Sequence, residues 1–303
     1  MNGENERKPD RIGAVFASLG KSICYLALFF GMQIVVMMPV MVNSIMEGLT
    51  GRPMEEDALV DAIMGADTML LSLIANLLTL AFVLLFYLIR RKKLSEALWL
   101  RRVPASTLWT GAALAPALYL VVTVVLAALP EAWLDSYSEA SADITGGTAI
   151  GAVAVALMAP IVEEFIFRGL IMTRLSRAMP GWLAVVLSAA IFGVCHGHPV
   201  WFGYAFVLGA VFGFMDLKAG SIWPSILGHM AFNAIGQIFS IIPETEEGTE
   251  IVAAVGVLLL AAIILPLLDR KGVAALFRRT PPAPPAQQRS WPLRSYDYDP
   301  WDE

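Results

Sequence analysis

Pro160-Ile161-Val162-Glu163-Glu164-Phe165-Ile166-Phe167-Arg168 lies inside a run, from about 149 to 177, that is otherwise apolar enough to cross a bilayer. Two adjacent carboxylates and a guanidinium are costly at membrane depth, and groups held there face a bundle interior or a polar cavity. The stretch therefore predicts a membrane-spanning helix with one polar face. The polar side chains of the neighbouring spans are the candidates to meet it.

The composition agrees. The chain of 303 residues is 57% hydrophobic and only 16% charged, with mean hydropathy +0.67, whereas soluble domains carry roughly a quarter charged residues. An all-α polytopic membrane protein is the expected class. The net charge of −5 gathers in acidic loops and in Asp297, Asp299, Asp302 and Glu303, and no basic, aromatic-interleaved face occurs. A nucleic-acid partner is excluded on those grounds. Cys24 and Cys195 both fall within spans, which leaves no disulfide framework and no CxxC metal knuckle. The charged N-terminus lacks a short apolar region ending in a cleavage site and reads as an uncleaved start.

Eight apolar runs stand out, at about 22–43, 68–89, 106–129, 149–177, 182–198, 200–217, 221–242 and 251–268. Each approaches the roughly 20 residues that a hydrocarbon core of about 30 Å requires. Lys21 separates the first from a short interfacial helix at 12–21, and Pro39 predicts a kink. The stretch PEAWLDSYSEASAD after the third run reads as an acidic exit loop. The expected organisation is a cytoplasmic N-terminus with its interfacial helix at 1–21, N-terminal helices and loops at 22–147, a motif-bearing core at 148–240, a last loop and helix at 241–279, and a Pro-rich disordered tail at 280–303. Lys and Arg collect at alternate ends of the runs, so both termini are expected in the cytoplasm and the protein in the plasma (inner) membrane.

Within the core, strongly polar side chains recur four apart, on shared helix faces: Glu164 with Arg168, His229 with Asn233, and His196 four residues after Phe192. Glu164 precedes Arg168, the better order for an ion pair, which leaves Glu163, about 100° around the helix, available. Folding the fourth and fifth runs about Met179-Pro180-Gly181 brings Glu163 level with His196, roughly 21 Å from the cytoplasmic boundary. His229 and Asn233 come out at roughly 16 and 22 Å. Carboxylate, imidazole and amide thus converge on one layer, as general acid-base chemistry requires. Phe192 reads as packing, His198 as a helix-end residue and Gly209-x-x-x-Gly213 as a close-approach face. Cys195 points away from its neighbour His196 and does not read as a nucleophile.

Glu163-Glu164-x-x-x-Arg168, Phe192-x-x-x-His196 and His229-x-x-x-Asn233 resemble, in order and spacing, the three motifs of the CAAX protease and bacteriocin-processing (CPBP) intramembrane peptidases, which include the type II CAAX prenyl proteases and Abi-like proteins. Gly169, Gly220-Ser221-Ile222 and Gly236 add to the likeness, which covers about 148–240. The apolar runs predict about eight transmembrane helices, and the resemblance implies an active site inside their bundle and an endopeptidase acting on a membrane-associated protein or peptide. It implies that Glu163 and His196 activate water, that His229 and Asn233 stabilise the oxyanion, and that Glu164 and Arg168 support them.

The favoured expectation needs no cofactor. A zinc ion is the open alternative, with Glu163, His196 and His229 as three ligands and water as the fourth, although no HExxH motif occurs. Two non-proteolytic readings also stay open on the residues alone: an immunity or regulatory protein whose polar layer binds a peptide or lipid, and a proton-coupled transporter using the buried carboxylates as a relay.

Overall fold

The computed structural model describes residues 11–51, 68–145 and 149–240, and every regular element within them is helical. The first helix, α1, is Arg11–Thr50, roughly 60 Å long at 1.5 Å per residue. The break expected at Lys21 is missing. No proline interrupts the chain there, so Ile12–Val42 forms one apolar stretch, with Lys21 partly buried on its flank and Pro39 inside the helix.

Helix α2, Thr68–Ile89, coincides with the second expected run. Two single turns follow, α3 (Leu94–Ala97) and α4 (Ala105–Leu108), before α5, Thr110–Ala127. The acidic stretch expected as a loop is instead helix α6, Glu131–Thr145. Pro130 precedes it, Glu131 complements the N-terminal end of its dipole, and no Gly or Pro interrupts it. Its polar composition hid its helical propensity.

From Ala149 to Ala178 runs one continuous rod, α7. Its segments are α-helical Ala149–Val153, π-helical Ala154–Met158, α-helical Ala159–Glu164, π-helical Phe165–Met172 and α-helical Thr173–Ala178. Helix α8, Gly181–Val194, stops four residues before the expected end, and α9 (Pro199–Ala219) and α10 (Trp223–Ser240) complete the described chain.

Five of the described helices are long and apolar enough to cross a membrane, within α1, α2, α4–α5, α7 and α9. The protein is thus an all-α integral membrane protein. The expected eighth run at 251–268 and the tail at 280–303 lie outside the described residues. Helix α8 packs along α9, α10 along α5, and α1 along α2, while Phe167, Ile171, Leu98, Ile222 and Ile226 fill the centre around α7.

The tightest helix crossing is at Gly111 of α5 and Gly228 of α10. A Cβ on Gly111 would fall 1.9 Å from the Pro224 carbonyl oxygen and 3.1 Å from Gly228 Cα. Those are backbone atoms and cannot rotate away. Gly111→Ala is therefore expected to destabilise the fold by about 1–3 kcal/mol or more, the range for overpacking. Thermal unfolding in detergent micelles checks this, and a melting temperature equal to wild type would contradict the close packing of α5 on α10.

Candidate active site

Pro160 shapes α7 around the acidic pair. It has no N–H to donate to a preceding carbonyl, and the rod widens into a π turn just before it. A π turn directs the Val155 carbonyl at residue 160, where no donor exists. Asn233 supplies one from α10: its Nδ2 donates to Val155 O at 2.9 Å. The amide so ties α10 to α7 and retains a second N–H for another acceptor.

Glu164 and Arg168 fill the interior, 0% and 1% exposed. Arg168 Nε lies 3.0 Å from Glu164 Oε2, an ion-pair distance, but the N–H is not aimed at the oxygen and neither atom makes a hydrogen bond. The guanidinium is held instead by shape. Its Cζ sits 4.5 Å from the centroid of the Phe192 ring, a cation–π placement. A Cβ on Gly209 would stand 3.2 Å from its Nη2, and one on Gly213 would stand 3.3 Å from Met172 Sδ. The small residues on α9 thus make room for α7.

The other oxygen of Glu164 reaches a different helix. His229 Nδ1 lies 2.8 Å from Glu164 Oε1, and because an ionised carboxylate only accepts, Nδ1 carries the proton. Glu164 therefore sits between Arg168 and His229, a link to α10 that helix spacing alone does not reveal. Glu163 is more open, its side chain 21% exposed, and its Oε2 faces His229 Nε2 across 3.8 Å. Its charge also acts on Cys195, in the turn that follows α8, and on Tyr204 of α9.

His196 belongs to that turn rather than to the helix. The last four carbonyls of a helix lack intrahelical donors, and here all four find one. Cys195 N donates to Ile191 O, His196 N to Gly193 O and Gly197 N to Val194 O. The fourth, Phe192 O, lies 2.8 Å from His196 Nδ1, which donates to it and leaves the Nε2 lone pair directed away. Gly197, at φ +72, supplies the left-handed residue that reverses the chain. Among the described residues Glu163 and His196 share no hydrogen bond or ion pair; the direct partner of Glu163 is His229.

Phe192 is more central than its expected packing role. Its ring meets His196 at 4.6 Å, His229 at 5.8 Å and Phe167 at 5.0 Å, each close to perpendicular or tilted, as well as the Arg168 guanidinium. One aromatic side chain thereby touches a member of each of the three motifs. Residues 145–235 match a family model. That model is described as "Type II CAAX prenyl endopeptidase Rce1-like". No curated protein and no solved structure matches the chain.

The match covers the rod, both histidine motifs and Asn233, so this stretch of the integral membrane protein is similar to type II CAAX prenyl endopeptidases. Among the described residues no group of three His, Cys, Asp or Glu side chains is placed to hold a metal ion. His196 commits Nδ1 to the Phe192 carbonyl and His229 commits Nδ1 to the Glu164 carboxylate, and each leaves its Nε2 available.

Two buried polar residues escape a motif search. Ser225, one turn before His229, is fully buried, and so is Asp216 of α9. Asp216 reads in the sequence as a polar helix end. The signal that distinguishes it is its spacing from Gly209 and Gly213, which puts it on the face of α9 that meets α7.

Proposed function

We propose that the protein is an intramembrane endopeptidase that hydrolyses a peptide bond in a membrane-associated protein or peptide, using water and no metal. Glu163 is the general base. The water gives its proton to the Glu163 carboxylate while its oxygen bonds to the scissile carbonyl carbon. The proton then passes to the leaving amine nitrogen as the C–N bond breaks. His196 Nε2 accepts a hydrogen bond from the same water. His229, held by Glu164 through Nδ1, donates to the developing oxyanion when Nε2 is protonated, and the second amide N–H of Asn233 joins it.

The observation that carries this reading is the pair of Glu163 Oε2 and His229 Nε2, 3.8 Å apart, above a fully buried Glu164. One carboxylate is open to a substrate and the other is committed to orienting an imidazole. Two neighbouring acids with divided tasks are what acid-base hydrolysis uses. The alternation of basic and acidic loops supports cytoplasmic termini and a plasma (inner) membrane location.

Comparing the membrane proteomes of cells carrying wild type or Glu163→Gln tests the function. A new protein terminus present only with wild type is the expected result, and it also identifies the substrate. Identical termini in both, with the cellular phenotype preserved in Glu163→Gln, would replace hydrolysis by the binding role of an immunity or regulatory protein.

A further inference from the structure

The connection between α9 and α10 converges on one residue. The Asp216 main-chain carbonyl accepts from Gly220 N at 2.7 Å and from Ser221 N at 3.4 Å. Its side-chain Oδ1 accepts from Ser225 N at 3.2 Å. A helix leaves its first amides without intrahelical acceptors, and Ser225 lies in the first turn of α10. Asp216 therefore caps α10 from another helix. Ser225 and His229 are four apart and share a face, so the amide that Asp216 holds lies one turn below the imidazole that meets Glu164.

Position matters strongly at that point. His229 must keep Nδ1 at 2.8 Å from Glu164 Oε1 while presenting Nε2 to Glu163. Sliding or rotating α10 on α7 would break one contact or the other. Asn233 ties α10 to α7 above His229 through Val155 O, and Asp216 ties α10 to α9 below it. The imidazole is thus fixed from both sides along its helix. Asp216 is 0% exposed and its Oδ2 has no hydrogen-bond partner; its carboxyl meets Ser225 at the first turn of α10 and also lies within the field of Glu164 and Arg168.

We propose that Asp216 is a positioning residue of the site, setting the height and rotation of His229 by capping the first turn of α10. The inference rests on the hydrolytic reading given above for its kinetic consequences, and on hydrogen bonding alone for its structural ones. Asp216→Asn keeps an oxygen at Oδ1 for Ser225 N while removing the ionisable group that interacts with Glu164 and Arg168, so it separates the cap from the charge. Asp216→Ala removes the cap, and Asp216→Ser places its hydroxyl one bond short of Ser225 N.

Purified full-length variants in lipid nanodiscs, assayed on the substrate cleaved by wild type, give the test. Asp216→Asn is expected to keep kcat within about threefold of wild type, while Asp216→Ala and Asp216→Ser lose about tenfold to a hundredfold in kcat with KM little changed, the scale of a small misplacement. Amide exchange over 221–229 should quicken in the Ala and Ser variants and not in Asn. Wild-type kcat in Asp216→Ser, or an equal loss in Asn and Ser, overturns the capping role. If Asp216→Ala does not fold, the Asn and Ser comparison decides alone. If wild type cleaves nothing, the hydrolytic reading fails, and unchanged exchange in Asp216→Ser is then the result that overturns positioning.

Discussion

Glu163→Gln is expected to abolish the proposed peptide-bond hydrolysis while leaving the thermal stability of the protein close to wild type. The amide cannot take a proton from water, and loss of a general base costs about 10²–10⁴-fold in rate. The stability expectation comes from the surroundings of Glu163. Its side chain is 21% exposed and its direct partner lies at 3.8 Å, so no short buried contact is broken. Substitutions away from such contacts stay within about 0.5 kcal/mol. Single-turnover cleavage in nanodiscs, with melting temperature measured on the same sample, checks both halves. Retention of more than a tenth of the wild-type rate would remove Glu163 from the role of base.

Arg168→Met has the opposite profile and is expected to lose the fold. Glu164 is 0% exposed and Arg168 is 1% exposed, and removing one member of a buried ion pair leaves an uncompensated charge at a cost of about 3–5 kcal/mol. The methionine fills similar space over Phe192, so the loss is chiefly of charge. Adding Glu164→Gln to Arg168→Met removes the stranded carboxylate and should recover part of the stability, though not activity, since the amide oxygen still accepts from His229 Nδ1 but no longer supplies the negative charge that favours a protonated Nε2. Thermal unfolding and yield of folded protein distinguish the variants. A single Arg168→Met as stable as wild type would show that the Glu164 charge is balanced elsewhere.

Much of the site was legible because helix spacing is a strong constraint. The four-residue interval of Glu164 and Arg168 pairs them, and the same interval places His229 and Asn233 on one side of α10. What spacing could not supply was contact between helices. The link from Glu164 to His229 depends on how α10 is rotated against α7, and that rotation is set by Asn233 on Val155 and by the Gly111–Gly228 crossing, neither of which has a period to read. The expected Glu163–His196 pairing assumed that α8 continues as a regular helix to His198. It ends at Val194, and His196 is spent in part on closing that end.

The fold shows the same division. The apolar runs at 68–89 and 200–217 lie close to α2 and α9, since a long hydrophobic stretch has few alternatives in a bilayer. The acidic stretch at 131–145 was missed because hydropathy measures polarity and not helix propensity. It docks through Tyr137, whose ring meets His198, Trp201 and Tyr204, and through Ser136, whose Oγ is 3.1 Å from His198 Nε2. The single charge at Lys21 was weighed too heavily, as a long helix carries one lysine without breaking.

The brevity of α8 bears on the lipid as well as on the protein. At 14 residues it spans roughly 21 Å, against a hydrocarbon core of about 30 Å. A helix shorter than the core is accommodated by thinning of the bilayer, by snorkelling of flanking residues or by association with other helices. Non-helical backbone at such a level is tolerated where protein or water surrounds it, so the turn at His196 is expected to sit against protein or a water-filled cavity and not against lipid.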